Sequence, residues 1–239
     1  MLTQEKLDFS TRNGMIISSF HFDDKIPSLD FYPNNIFLER LKNATYKAFK
    51  ASIRENSLLE ITRELMAVLH HRVLGEKNST FQTSSAKNKL YIERIITLNS
   101  VKILKLCFSQ KYDNISVYGA RVTLEVDEDN QLLAINSAIG VDIVVDSHPT
   151  IKSGNLNSLI ESQTGRYLND SHVTSAPYYY FDIKNNYWRL VYFVENKLKD
   201  ATKFCGLDKI QERVDYIIDA HSGDIVSQIP RFTTTFPLL

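Results

Sequence analysis

The feature that most constrains the fold is a region of alternating apolar and polar residues in the middle of the chain. Segments with this period of two run over 101–112, 117–126 and 132–145, with turn residues around 112–114 and 127–130. In the second segment Arg121, Thr123 and Glu125 alternate with valine and leucine. Such alternation is typical of antiparallel strands with one packed and one solvent-exposed face. The sequence therefore predicts three consecutive antiparallel strands here.

Helical periodicity appears on both sides of this region. Apolar residues recur three and four positions apart at 36–49 and at 58–73, which predicts two amphipathic helices. A third helix is predicted at 150–168, where Ile151, Leu156, Leu159 and Ile160 form an apolar stripe. Runs rich in β-branched and aromatic residues at 176–182, 188–195, 213–219 and 225–229 predict a second sheet.

Together these segments predict an α+β fold with two antiparallel sheets, each packed with helices, preceded by an N-terminal helical segment. Four parts are expected: an N-terminal arm with the two helices at 1–88, an antiparallel module at 89–148, an α+β module at 149–229 and a C-terminal tail at 230–239. The polar stretch 76–88, rich in serine, threonine, asparagine and lysine, marks the first boundary.

Composition narrows the class of protein. The chain has 239 residues, 43% of them hydrophobic, which is enough to bury a core. Its 28 Lys and Arg balance its 28 Asp and Glu, so no net field attracts nucleic acid. No apolar stretch approaches the ~20 residues that span a bilayer, so no membrane insertion is expected. The first twenty residues include Gln4, Glu5, Asp8 and Arg12 and lack a secretory signal, which predicts a cytoplasmic protein as given, or a secreted or periplasmic one if a signal was removed.

The search for chemistry predicts no enzyme, no cofactor and no metal site. His70 and His71 are adjacent, and neighbouring residues on a helix point about 100° apart, so they do not share one metal. Cys107 lies within a predicted strand, without a local pattern that would activate its thiol, such as a strand-to-helix turn. Cys107 and Cys205 can be read either as a disulfide or as two buried thiols. The acidic residues at 127–129 fit a hairpin turn and lack the spacing of a calcium-binding EF-hand.

One stretch is more specific than composition. Residues 108–127 contain Gln110 and Tyr112 at the end of one strand, then a Val117–x–Gly119 step, a second strand and an acidic hairpin at 127–130. This arrangement resembles the FTP propeptide motif of fungalysin and thermolysin-type metallopeptidases. Gly119 provides a backbone position without a Cβ, where a strand can bulge, and Gln110 can bridge neighbouring strands.

The second half resembles the PepSY module of the same propeptides. The resemblance lies in the strand 188–192 and in the segment 214–226, which contains Asp219-Ala220-His221-Ser222-Gly223-Asp224-Ile225. Asp219 can accept hydrogen bonds from the turn amides, and Gly223 tolerates the positive φ of a tight hairpin. The two resemblances cover roughly residues 90–229. The chain departs from the family at 102–105, where Lys-Ile-Leu-Lys replaces a His-Val-Arg-like triplet, and no peptidase follows within the sequence.

The resemblance implies a non-catalytic protein-binding module that acts in trans as an inhibitor or folding chaperone of a thermolysin-like peptidase. An alternative is that the propeptide fold serves as a structural or interaction component of a secretion or toxin assembly. A third alternative is an enzyme site between the N-terminal helices and the sheets. The oligomeric state is left open. The residues predicted to bind the partner are Gln110, Tyr112, Val117, Gly119, Phe232, Phe236, Leu238 and Leu239, and Asp219 and Gly223 are predicted to shape a turn.

Overall fold

The computed structural model describes residues 14–21, 36–50, 55–73, 87–100, 102–165, 171–173, 176–196 and 213–231. The chain divides into two compact units, Met1–Ile143 and Val144–Leu239. The first unit holds strands β1 (Met15–His21), β2 (Asn88–Leu98), β3 (Ile103–Tyr112), β4 (Ile115–Val126) and β5 (Leu132–Gly140), with helices α1 (Ile36–Lys50) and α2 (Glu55–Val73). The second holds a 3₁₀ turn (Ser153–Asn155), helix α3 (Leu156–Thr164), and strands β6 (Ser171–Val173), β7 (Tyr178–Asp182), β8 (Tyr187–Asn196), β9 (Arg213–Asp219) and β10 (Ile225–Arg231).

The predicted α+β class with two helix-packed sheets is wrong, because the fold is mostly β. Strands make up 49% of the described residues and helices 26%. Strand β2 was missed because charged residues interrupt its apolar pattern and because Glu93 is an extra residue that shifts its register on β3. The third helix is shorter than expected, since Gly165 takes up a left-handed φ of 67° and ends it directly after Thr164.

The five strands of the first unit follow the order β2-β3-β4-β5-β1, and every pairing is antiparallel. One face of this sheet is apolar: Leu106 of β3 stands opposite Leu124 of β4, which stands opposite Ile135 of β5. The apolar sides of α1 and α2 belong to the same buried cluster, with Leu41, Ala44, Ala48, Ile61, Leu65, Val68 and Leu69. The core of the unit therefore lies on this face of the sheet.

In the second unit β8 is the central strand, since it pairs with β7 and β6 along one side and with β9 along the other, and β10 pairs with β9. Helix α3 buries Leu156 and Ile160. Its Gln163 side chain donates to Gly223 O at 2.9 Å and accepts from Ile225 N at 3.3 Å, so the helix is tied to the β9–β10 turn. No described helix of the chain is long and apolar enough to cross a bilayer.

Candidate partner-binding surface

Gln110 lies where the ladder between β3 and β4 is interrupted. Ser109 pairs with Arg121 and Lys111 pairs with Ser116, so residues 117–120 of β4 stand opposite Gln110 alone. Extra residues in one strand form a bulge that bends it away from its neighbour. Gly119 lies in this bulge with a φ of +77°, a conformation that glycine adopts without a steric cost.

The side chain of Gln110 takes the place that the bulged strand leaves. Its Nε2 donates to Gly140 O at 2.8 Å, and its Oε1 accepts from Gly140 N at 2.7 Å. The β4–β5 register, in which Arg121 pairs with Ala138, would otherwise bring Gly119 opposite Gly140. The Gln110 carboxamide therefore makes with Gly140 the two hydrogen bonds that an antiparallel backbone partner would make.

The same carboxamide also reaches β2, because Nε2 donates to Asn88 Oδ1 at 2.9 Å. Gln110 is fully buried and Asn88 nearly so, so these hydrogen bonds are shielded from water. Buried polar groups are tolerated when they are paired in this way. One side chain thus links β2, β3 and β5, and its effect on a partner would pass through the shape of the sheet rather than through direct contact.

The remaining motif residues of the first unit differ in accessibility. Val117 is buried and Tyr112 is half-buried, whereas Gly119 is exposed. Tyr118, between Val117 and Gly119, is 43% exposed. The bulge therefore turns an aromatic side chain toward solvent beside the motif glycine, and sequence reasoning missed this residue. An aromatic residue at a strand position that should alternate with buried neighbours was the available signal.

The sheet face opposite the helices carries mostly charged and polar side chains. Lys105 of β3 pairs with Glu125 of β4 at 2.6 Å, and Lys111 Nζ lies 4.6 Å from the centre of the Tyr91 ring. Cys107 is buried in the middle of this face as a free thiol. This face therefore combines charged side chains with a buried thiol.

In the second unit Asp219 organises the turn between β9 and β10. Its Oδ1 accepts from His221 N at 2.8 Å and Ser222 N at 3.0 Å, and Gly223 N donates to Asp219 O. Gly223 has a φ of +80°, and an added Cβ would lie 3.3 Å from Leu159 Cδ1. A side chain at Gly223 would therefore be strained by the backbone and crowded by α3.

Arg189 joins this turn to the β7–β8 turn, an arrangement that the sequence did not predict. Its Nη1 donates to Asp219 Oδ2 and its Nε to Asp182 Oδ2, each at 2.8 Å. Asp182 also accepts from Asn185 Nδ2 at 2.8 Å and from Lys184 N at 3.1 Å. Both carboxylates are buried, and the guanidinium is four-fifths buried, so the three charges are held out of water together.

The ionisation of this cluster follows its hydrogen bonds. Burial acts to raise the pKa of Asp219, but the backbone hydrogen bond from Ser222 and the bond from Arg189 outweigh it, so the pKa is lowered. Burial likewise opposes ionisation of Asp182, and the bonds from Asn185 and Arg189 lower its pKa. Burial acts to lower the pKa of Arg189, yet the two carboxylates raise it. The cluster is therefore ionised at neutral pH and serves a structural purpose.

A second polar group in this unit lies on the surface. His148 donates its backbone N–H to Asp146 Oδ1 at 3.0 Å, and this bond lowers the pKa of Asp146. His221 Nε2 lies 3.2 Å from Asp146 O, which brings residue 146 to the β9–β10 turn. Within the part of the chain that the structure describes, no group of three or more His, Cys, Asp and Glu residues could hold a metal ion.

Other residues considered from the sequence fall in two groups. Asp127 accepts from Asp129 N at 2.9 Å and Gln131 N at 2.8 Å through Oδ1, so this acidic residue shapes its own hairpin. The tail residues Phe232, Phe236, Leu238 and Leu239, and also Cys205, lie outside the described residues.

A polar cleft of about 480 Å³ between α1 and α2 is lined by Arg40, Asn43, Ala44, Lys47, Glu60, Arg63 and Glu64.

Comparison with known proteins adds no relative. Neither a protein-family model nor a curated protein sequence matches the chain. The propeptide resemblance therefore rests on the two sequence motifs alone, around Gln110 and around Asp219.

Proposed function

We propose that this chain is a non-catalytic protein-binding module of the metallopeptidase-propeptide kind, and that it acts in trans as an inhibitor or folding chaperone of a thermolysin-like peptidase. The observation that carries the proposal is the geometry of the β3–β4 bulge: Gly119 lies in the bulge, and the Gln110 side chain bonds to Gly140 where the bulged strand leaves it without a backbone partner. Two residues of the resemblance thus take part in one irregular feature of the sheet. The Asp219–Gly223 turn supports the proposal in the second unit, because there the motif residues bond to each other.

The exposed bulge is the surface that this proposal favours for contact. Tyr118 and Gly119 are exposed, and Tyr91 of β2 is also partly exposed. Tyrosine is common in protein interfaces because it provides apolar area with a polar end and loses little conformational entropy. The buried Gln110 fixes the backbone that presents Tyr118. Binding is therefore expected to depend on Tyr118 directly and on Gln110 through the bulge.

The test uses a purified thermolysin-like peptidase and measures cleavage of a fluorogenic peptide with and without this protein. We expect inhibition at micromolar concentrations, and a higher yield when the denatured peptidase is refolded in the presence of the protein. Tyr118→Ser should weaken inhibition by about tenfold, the effect of losing one well-placed interface side chain. Ile183→Ser, at a position of the second unit that is 65% exposed, is the matched control and should inhibit like the wild type.

Intact protein must be recovered after the assay, because a substrate also slows cleavage of a competing peptide. If the protein neither binds nor inhibits the peptidase nor assists its refolding at micromolar concentrations, the peptidase proposal is refuted. Recovery of a different partner from the native host would instead favour the use of this fold in a larger assembly. A variant without residues 232–239 tests the predicted contribution of the tail.

A further inference from the structure

Strand β1 is an edge of the first sheet, since among the described strands it pairs with β5 alone. Val141 N donates to Gly14 O at 3.0 Å. This bond shows which residues along β1 direct their backbone groups toward β5. In an antiparallel pair, every second residue directs its N–H and C=O to the neighbour and the others direct them away. Met15, Ile17, Ser19 and His21 therefore direct their backbone groups away from β5. They present a row of donors and acceptors on the outer side of β1.

The two edges of this sheet differ in how they are protected. At the opposite edge, β2 carries Lys89, Glu93 and Arg94 and has a bulge at Glu93. Charges and bulges on an edge strand hinder pairing with another chain. Strand β1, with the sequence MIISSFH, contains no Asp, Glu, Lys or Arg, and its pairing with β5 continues without a register shift from Met15 to His21. Ile17 is 56% exposed. β1 lacks the protection that β2 has.

We propose that β1 is a homodimer interface, at which the β1 strands of two copies pair antiparallel about a two-fold axis at Ser18. In this register all four outward-facing residues have a partner in the other copy. Met15 pairs with His21 and Ile17 pairs with Ser19, and the two-fold axis repeats each pair. No charged side chains are brought together, and the chain has no net charge to hold two copies apart. A two-fold axis is the most common symmetry of homo-oligomers. The proposal is independent of the function proposed above.

The first test is sedimentation equilibrium of the full chain over a wide range of concentrations. The mass should rise from that of one 27.5 kDa chain toward twice that value. Ser19→Pro removes an N–H that points outward and takes no part in the pairing with β5. Edge strands tolerate proline at such positions. It removes two symmetry-related hydrogen bonds, so the dimer dissociation constant should rise at least tenfold. Ser19→Thr keeps the N–H and should dimerise like the wild type.

The second test locates the two-fold axis. Ser18→Cys places two thiols opposite each other, with Cα atoms about 4.5 Å apart, which is within the range of a disulfide. In a Cys205→Ser background, oxidation should give a covalent dimer of this variant and none of the parent with Ser18, whose remaining Cys107 is buried. A wild-type chain that stays monomeric at all concentrations overturns the proposal. A dimer that Ser19→Pro leaves intact and Ser18→Cys does not cross-link also overturns it, since its interface then lies elsewhere.

Discussion

Each unit holds separate backbone segments together with one buried polar side chain, but the chemistry differs. In the first unit the side chain is the neutral Gln110, which bonds to Gly140 on β5 and to Asn88 on β2. In the second it is the charged Arg189, which bonds to Asp182 and Asp219 at the ends of β7 and β9. Gln110 bonds to a backbone that the ladder leaves without a neighbour, whereas Arg189 bonds to two side-chain carboxylates. One uses an amide and the other a charge triad.

The difference determines how each unit responds to change. A buried amide incurs no cost of removing a charge from water, and its bonds do not depend on pH. A buried ion cluster pays that cost, and its net contribution to stability is small while all partners are present. Removing one partner is far more damaging, because the remaining charges stay buried without compensation. The second unit should therefore be the more fragile of the two.

The largest expected effect comes from Arg189→Met, which leaves Asp182 and Asp219 buried without their cation. The free energy of unfolding of the second unit should fall by about 3–5 kcal/mol. Trp188, the only tryptophan of the chain, is buried in this unit and reports its unfolding in urea by fluorescence. The control is Lys184→Met, which removes an exposed cation from the β7–β8 turn of the same unit and should cost less than about 1 kcal/mol. Equal losses in the free energy of unfolding of the two variants would refute the distinction between buried and exposed charges.

A smaller effect is expected from Gln110→Leu, which keeps the size of the side chain but leaves the N–H and C=O of Gly140 without partners. The first unit should lose about 2–3 kcal/mol, the cost of burying unpaired polar groups. The rate at which the buried Cys107 thiol reacts, measured in a Cys205→Ser background, reports the opening of this unit. Gln131→Leu replaces an exposed glutamine of the same unit and should change the rate little. A normal rate in Gln110→Leu would mean that the bulge does not need the amide.

The sequence predicts the parts of both arrangements that are local, and misses those that depend on register. Gly119, Gly223 and Asp219 could be singled out because turn and bulge chemistry depends on near neighbours in the chain. The bridging capacity of Gln110 could be stated, but its partner Gly140 depends on a register between β4 and β5 that only the folded sheet defines. Arg189 reaches two turns that lie 7 and 30 residues away, and no local pattern marks such a contact. The α+β prediction failed for a related reason, since the extra residue Glu93 concealed β2.

The smallest expected effect near neutral pH is the pH dependence of stability, and in this property the two units should differ most sharply. Asp182 and Asp219 have lowered pKa values in the folded chain, so their contribution to stability is present above the unfolded value of about 3.9 and is lost as the pH falls through the folded values. The midpoint of the Trp188 transition in urea should therefore change little between pH 7 and about pH 5, and should decline below about pH 4.

The variant Gln110→Glu should reverse this dependence in the first unit. One carboxylate oxygen would keep the Gly140 N–H as its donor, but the other would replace Nε2 and face two acceptors, Gly140 O and Asn88 Oδ1. Burial and the contact with these acceptors favour the protonated form and raise its pKa. A group with a raised pKa binds its proton more tightly in the folded chain, so acidification from neutral pH should stabilise this variant relative to the wild type. The reactivity of Cys107 at pH 7 and pH 5 measures the change. Equal stability of Gln110→Glu at both pH values would mean that water reaches the side chain beside Gly140. The two units would then not differ as the chemistry of Gln110 and Arg189 implies.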